Sequence, residues 1–350
     1  MGERFVKNAM NQQTLTKKEK DLPEVDVIVA HHQGELVLKA IHSILLSRGV
    51  KIRLIVATSV STVNFHGAKT IFVPGGPAKK RNVAFRFTES EYMAFFDDDV
   101  EVTPLAILHM VRALQKDKIG MVFGKTLNME FHNRFDEAGS FLTPTGFLWA
   151  RAESGIEDKG QYNTEEYVLA GKSAACMIRR RAFLDAGLFD ESYEILGEET
   201  DLSWRVWLSG WKVLYVPSSV TYHAFNTKFK PRDFYVPRRV YFNGCRNYIS
   251  MLLTNFENLN FIIPTILQTI VWISASVGMI LTGKFEAGTY ILKGLLYVAT
   301  HLPAIFEKRK KVQGSRKISD KELMPMIMRT PPISYYLKRF FRYISTGLHG

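Results

Sequence analysis

An α/β fold, with a mostly parallel sheet flanked by helices and then an apolar helical C-terminal region, is what this sequence predicts. Three observations predict it. From Val25 to about Val122, short β-branched apolar runs alternate with stretches of helical period. Three carboxylates in a row, Asp97-Asp98-Asp99, stand directly after one of the apolar runs. Phe261 to Thr282 passes 22 residues without a charge.

In chain order, "VDVIVA" reads as the first strand. A helix from Glu35 to Arg48 follows, with Leu36, Ile41, Ile44 and Leu45 approximating one apolar face, Gly34 before it and Gly49 ending it. "IRLIVAT" and "TIFV" read as strands, "AKKRNVAFRF" as a helix and "EYMAFF" as a strand. The helix "PLAILHMVRALQKDK" has Pro104 in its first turn, where the missing N–H costs nothing. The order is β-α-β-β-α-β-α. Residues 126–220 are richer in Gly, Pro and aromatics, and predict a helix only around Asp201 to Leu208 and a strand at Trp211 to Val216. Phe261 to Thr282 then matches the length that crosses about 30 Å of hydrocarbon as a helix. A second apolar segment, Ala287 to Phe306, carries one charge, Lys293. The pair reads as a membrane hairpin, as helices lying flat in the interface, or as buried helices of a soluble core.

A composition of 46% hydrophobic and 23% charged residues is that of a globular chain and excludes a disordered one. The net charge of +12 gathers toward the ends, at Lys17, Lys18 and Lys20 and at Lys308, Arg309, Lys310, Lys311, Arg316 and Lys317. Such a balance suits nucleic acid, a phosphorylated substrate or an anionic membrane. Arg238, Arg239 and Arg246 precede the first apolar segment and the late cluster follows the second, so the positive-inside rule puts both flanks in the cytoplasm. Cys176 and Cys245 lack CxxC or Cys/His spacing, which points away from a disulfide framework or structural zinc and fits a reducing compartment. The first twenty residues lack the apolar core of a signal peptide, so the first domain is expected to stay in the cytoplasm.

An open parallel sheet binds ligands beyond the carboxyl ends of its strands, and the triple Asp lies at such an end. Adjacent carboxylates repel one another unless a cation offsets them, and a hard divalent metal does so. In "PGGPAKKRNVA" a Gly-rich turn leads into a helix whose first turn carries Lys79, Lys80 and Arg81. Cations are unfavourable at that end of a helix dipole unless an anion such as a diphosphate rests there. Glu198, Glu199 and Asp201 open another helix, where capping accounts for one or two of them. Arg205 is placed to pair with Asp201 at i,i+4 and to hold that acidic turn fixed, as a general base requires. His223, after a strand, is a candidate metal ligand or an ordinary structural histidine.

The stretches "VDVIVAHHQ", "GPAKKRNVA", "FFDDDV", "LAGKSAACMIRRRAFLDAGLFDE" and "GEETDLSWRVWLSGWKVLYVPSSVTYH" together resemble, over about 200 residues and in the same order, the family 2 glycosyltransferases of the GT-A fold, nearest their rhamnosyltransferase-like branch. The resemblance implies a GT-A-type nucleotide-sugar-binding mixed sheet and metal-dependent, inverting sugar transfer. By that resemblance Asp97 faces the sugar nucleotide, Asp99 binds Mg²⁺ or Mn²⁺ and His223 completes the metal site. Glu199 is the base and Glu198 its support. His31, Lys80, Arg81, Asn82, Gly171 and Arg205 join Asp97 as nucleotide-sugar contacts. Lys80 or Arg81 would neutralise the leaving diphosphate, and Gly171 would allow close backbone approach to the donor sugar.

The implied partners are a nucleotide-sugar donor, a glycan or lipid-linked acceptor and a membrane, without nucleic acid, at the cytoplasmic face of the cell membrane. The implied organisation is a polar tail (residues 1–22), a catalytic domain (23–235), a connecting segment (236–260), the candidate membrane hairpin (261–306) and a basic tail (307–350). The sequence departs from the family at "IVATSVST", where Ala57 and Thr58 stand in place of the acid that contacts the nucleotide base. The donor nucleotide therefore stays open. A nucleotidyltransferase would carry its basic turn after the first strand, where this chain has "AHHQGE". A non-catalytic membrane scaffold would need only the apolar segments and basic patches.

Overall fold

A computed structural model describes residues 22–224 and 237–346. Lys17, Lys18 and Lys20 lie outside them, as do the side chains of Arg238 and Arg239. The first half runs β1 (Glu24–His31), α1 (Leu36–Leu45), β2 (Lys51–Thr58), β3 (Lys69–Phe72), α2 (Pro77–Phe85), β4 (Tyr92–Asp97), β5 (Val100–Val102), α3 (Ala106–Leu114) and β6 (Ile119–Asn128). This is the alternation the apolar pattern predicts, with the three-residue β5 added directly behind the acidic run. The chain continues through β7 (Phe135–Glu137), β8 (Ser140–Leu142), β9 (Leu148–Ala150), β10 (Glu166–Tyr167), β11 (Ala175–Arg179), α4 (Arg180–Asp185), α5 (Glu198–Leu208) and β12 (Lys212–His223).

Among the described residues one ten-stranded sheet has the order β10-β12-β6-β11-β4-β1-β2-β3, with β5 added to β12 and β7 to β6. β4-β1-β2-β3 and β6-β12 are parallel, whereas β11 runs antiparallel to β4 and β6, so the sheet is mixed. Helix α5 begins at Glu198, three residues ahead of the expected Asp201. β12 outruns the expected end at Val216, because after an irregularity between Val216 and Val220 it resumes pairing with β6 and meets β5. Alternate residues of the central strands feed two cores: Ile28 and Phe95 pack on one face, Val27, Val29 and Phe96 on the other.

The C-terminal region comprises α6 (Pro237–Asn255), α7 (Ile262–Leu281), α8 (Phe285–Thr300), α9 (Leu302–Gly314), α10 (Asp320–Ile327) and α11 (Ile333–Thr346). The expected second apolar segment, Ala287 to Phe306, divides between α8 and α9, which meet at a 67° bend. Pro303 lies in the first turn of α9, where its ring is tolerated as it would not be inside one continuous helix. Among the described residues α7 alone is a single helix long and apolar enough to cross a membrane, and α8–α9 qualifies only as a bent pair.

The late basic cluster is not a row of free flanking charges. Lys308 pairs with Asp190 (2.5 Å) and Asp201 (3.3 Å). Arg309 donates to the carbonyls of Leu253 and Phe256, each at 2.7 Å, and Arg316 pairs with Asp320 (3.1 Å). Arg246 is buried and donates to the Ser192 carbonyl at 2.5 Å. Only Lys310, Lys311 and Lys317 of the cluster are exposed. Helix α9 therefore returns to the sheet domain, and Met251, Leu252, Phe256, Val312, Leu323 and Ile327 join the same core as Ile28 and Phe95.

Candidate active site

Parallel pairing sets Ala30 of β1 opposite Asp97 of β4, so both strands deliver their carboxyl ends to one edge. There Asp98 Oδ2 accepts from the His32 N–H at 2.9 Å, tying the acidic run to the exit of β1. β5 starts one residue after Asp99, and its register sets Val100 opposite His223 of β12. Two residues more than a hundred positions apart are thereby joined: His223 Nε2 lies 3.2 Å from Asp99 Oδ1, and the Ala224 N–H donates to the Asp99 carbonyl at 3.0 Å. The other ring nitrogen, Nδ1, sits 2.8 Å from Oδ2 of Asp136 on β7, which also binds Lys172 Nζ at 2.5 Å.

Asp97, Asp99 and His223 each offer one ligand atom, all within 4.8 Å of one another. Neighbouring ligands of an octahedral ion with bonds of about 2.1 Å stand about 3 Å apart, close to the Asp99–His223 separation. Burial lowers the proton affinity of His223, but Asp99 and the Asp136 hydrogen bond reverse this and carry its pKa to about 9. The surroundings thus favour positive charge at this point. Burial pushes the Asp136 carboxyl up, yet Lys172 and His223 bring it down to about 2, so it stays ionised. A carboxylate on the far nitrogen of a ligating imidazole is the usual way such a ring is oriented. The residues present fit a divalent cation.

Behind the cluster, the fully buried Arg81 donates to Asp97 Oδ1 (2.6 Å) and to Glu198 Oε1 (3.2 Å). The guanidinium that the sequence assigned to a leaving diphosphate is thus enclosed between two carboxylates. It joins the metal-ligand strand to the acidic turn of α5. Glu199 is half-buried beside the enclosed Glu198. Burial and then repulsion from Glu198 raise its pKa well above the usual carboxylate range. The turn that presents the pair holds two consecutive left-handed residues, Leu196 (φ 68°) and Gly197 (φ 86°). For leucine this conformation is strained. Asn247 of α6 secures it, its Nδ2 donating to the carbonyls of Ile195 (2.9 Å) and Leu196 (2.7 Å).

His31, at the end of β1, is buried with Nδ1 2.8 Å from Thr58 Oγ1. Its proton affinity is lowered by burial and, to a lesser extent, by the nearby cation of Lys80. Three other residues named from the sequence make contacts within the protein. Asn82 bonds the carbonyl and N–H of Phe189 (2.9 and 3.1 Å), fastening α2 to the loop after α4. Arg205 makes the anticipated pair with Asp201 (2.7 Å) and donates to the Leu188 carbonyl (2.8 Å), which fixes α5. Gly171 is needed for packing, since a Cβ there would stand 2.8 Å from Phe123 Cγ.

Asp136, Lys172, Asn247 and Lys308 were missed in the sequence. A ligating His223 implies a carboxylate on its second nitrogen, but no spacing singles out Asp136, which comes from the irregular stretch.

The fold, with a metal-fitting cluster at its strand ends and an adjacent acidic turn, is of the GT-A class. A model of the family described as "Glycosyltransferase like family 2" matches residues 52–268, and the chain belongs to that family. No curated protein matches the sequence. Among solved structures, GalNAc-T7 with UDP, GalNAc and Mn²⁺ superposes with a TM-score of 0.52 at 14% identity, covering 81% of this chain. This chain spans 58% of the length of that one. The mannosyltransferase PcManGT from Pyrobaculum calidifontis, in complex with GDP-Man and Mn²⁺, gives a TM-score of 0.48 at 14% identity over 84% of this chain and 86% of its own.

Proposed function

We propose that the chain is a Mn²⁺-dependent, inverting glycosyltransferase of the rhamnosyltransferase-like branch. Its donor is a uridine, thymidine or guanosine diphosphate sugar, and its acceptor is a hydroxyl of a lipid-linked or cell-surface glycan at the cytoplasmic face of the membrane. The observation that carries the chemistry is Arg81, whose one guanidinium bonds Asp97 and Glu198 and so fixes the base turn relative to the metal-ligand strand. The acceptor side of the reading is supported by the apolar α7 and by the net charge of +12.

Mixed carboxylate and imidazole donors favour Mn²⁺ over Mg²⁺, which prefers oxygen alone. Asp99 and His223, with Asp97 beside them, would hold a cation, which would supply positive charge to the departing diphosphate. Glu199 takes the proton of the acceptor hydroxyl as its oxygen bonds to the anomeric carbon. The bond from that carbon to the phosphate oxygen breaks, and its electron pair leaves with the nucleoside diphosphate. Burial and repulsion from Glu198 raise the proton affinity of Glu199, so that its ionised form is a stronger base than a solvated carboxylate. Single displacement from one face gives inversion.

A panel of nucleotide sugars tests this by thermal shift and donor hydrolysis with Mn²⁺, because a bound donor stabilises the folded state alone. One donor is expected to raise the melting temperature and to be hydrolysed. If none does either, the reading falls. A product that keeps the donor's anomeric configuration rejects inversion.

A further inference from the structure

One side of α7 faces the rest of the protein through Pro264, Gln268, Trp272, Ala275, Ser276 and Met279. Its other side shows Ile263, Ile266, Ile270, Ile273, Val277 and Leu281, spaced three or four apart along the helix, with Ile263 69% and Leu281 81% exposed. A helix facing water carries charge on that side, yet no charged residue occurs from Asn258 to Gly283. Phe285, Leu292 and Leu296 of α8 are exposed, as are Ile333, Leu337 and Phe341 of α11. α11 packs on α7: a Cβ on Gly278 would stand 2.8 Å from Ile344 Cδ1, and Lys284 donates to the Ile344 carbonyl at 2.7 Å.

We propose that this surface is a platform that beds onto an anionic bilayer, with α7 and α11 lying in the plane of the interface. Two contacts set the orientation. Gln268 Nε2 donates to the carbonyl of Gly146, in the loop between β8 and β9, at 2.6 Å, and Phe147 of that loop packs against Trp272 with ring centroids 6.3 Å apart. Gln268 and Trp272 lie about 9 and about 15 Å along α7 from its start. A spanning α7 would carry this loop of the catalytic part, with its backbone polar groups, into the middle of the hydrocarbon, where lipid-exposed loops do not occur. Lying flat, α7 keeps the loop on the water side and presents only its apolar stripe to lipid.

Charge selects lipid over a second copy of the chain. Lys338 and Arg339 are exposed on α11, and no Asp or Glu occurs from Leu323 to Gly350. Two copies joined through this face would bring like charges together, whereas an anionic leaflet complements them.

The test uses the full chain without donor or acceptor, so its outcome is separate from that of the transfer reading. Sedimentation with vesicles of equimolar phosphatidylglycerol and phosphatidylcholine is expected to pellet the protein. Ile270→Glu and Phe341→Glu, both at exposed positions, should weaken partitioning about tenfold or more. Lys338→Gln and Arg339→Gln should each weaken it about fivefold on phosphatidylglycerol and leave binding to pure phosphatidylcholine unchanged. Nitroxides at Ile263→Cys, Ile270→Cys and Val277→Cys are specific because both native cysteines are buried, and they should report one shallow depth. A depth profile that peaks at residue 270 between shallow ends would show a span and overturn the proposal. So would protein that stays in the supernatant at every lipid concentration, or a lipid-free dimer that shields the labels.

Discussion

Replacing Lys308 by methionine keeps the apolar stem and removes the ammonium that Asp190 and Asp201 share. Asp201 would keep Arg205 (2.7 Å) and Asn255 (3.2 Å). The contact remaining to Asp190 in its own loop would be the Ser192 N–H at 2.8 Å. Burial pushes the Asp190 carboxyl up, and Lys308 more than offsets this, bringing its pKa from 3.8 down to about 2. A shift of that size is worth about 2 kcal/mol at neutral pH, and exposing the pair to imperfect compensation extends the expected loss to about 2–4 kcal/mol. The sign follows from the depressed folded-state value: the stabilisation is complete above the unfolded-state pKa and disappears as pH falls through about 2. Urea unfolding of both proteins across pH should therefore show a wide gap near neutrality that closes in acid. A gap that stays constant down to about pH 3, or no gap at neutrality, would refute the assignment of Lys308 as a clamp on Asp190.

Asp99→Ala should abolish the Mn²⁺-dependent stabilisation by donor, and unchanged nucleotide-sugar affinity by calorimetry with Mn²⁺ present would remove Asp99 from the metal site. Glu199→Gln should keep donor affinity and lose about 10²-fold or more in transfer, whereas Glu198→Gln should lose less; the reverse order moves the base to Glu198. Asp136→Asn should weaken Mn²⁺ binding about 10–100-fold in a metal titration without donor, and equal affinity would make its contact with His223 incidental. Gly171→Ala should destabilise by about 1–3 kcal/mol through the clash with Phe123, and a neutral effect in thermal unfolding would return Gly171 to a donor role.

The doubly buried strands were legible because their apolar runs are short, β-branched and punctuated, and the triple Asp marked where β4 ends. Asp97, Asp99 and His223 could be named together only through resemblance, since no local pattern says that β12 resumes pairing beyond Val216 and lands His223 opposite Val100. Arg81, Asn82 and Arg205 were named from the resemblance as nucleotide-sugar contacts, but a sequence cannot tell an arginine that meets a ligand from one enclosed by carboxylates. Both are cations beside acidic neighbours, and burial alone separates them. The same limit applies to Lys308, which in sequence is one of four consecutive cations and in space turns inward together with Arg309, while Lys310 and Lys311 stay exposed. The left-handed Leu196 gave no signal at all, because a strained leucine looks like any other.

The amide of Asn247 holds that leucine, and it belongs to α6, beyond the stretch that carries the metal ligands and the base. The division of the chain into a catalytic module and an attachment is therefore not one that evolution or an engineer can cut cleanly. A chain ending at residue 235 would keep every acid of the site and lose the hand that sets the acidic turn. Because Met251, Leu252 and Phe256 complete the core that holds Ile28 and Phe95, it should lose stability as well as transfer rate. Exchanging the C-terminal helices between relatives would alter turnover as well as location, so the two halves are expected to be inherited and tuned as one unit.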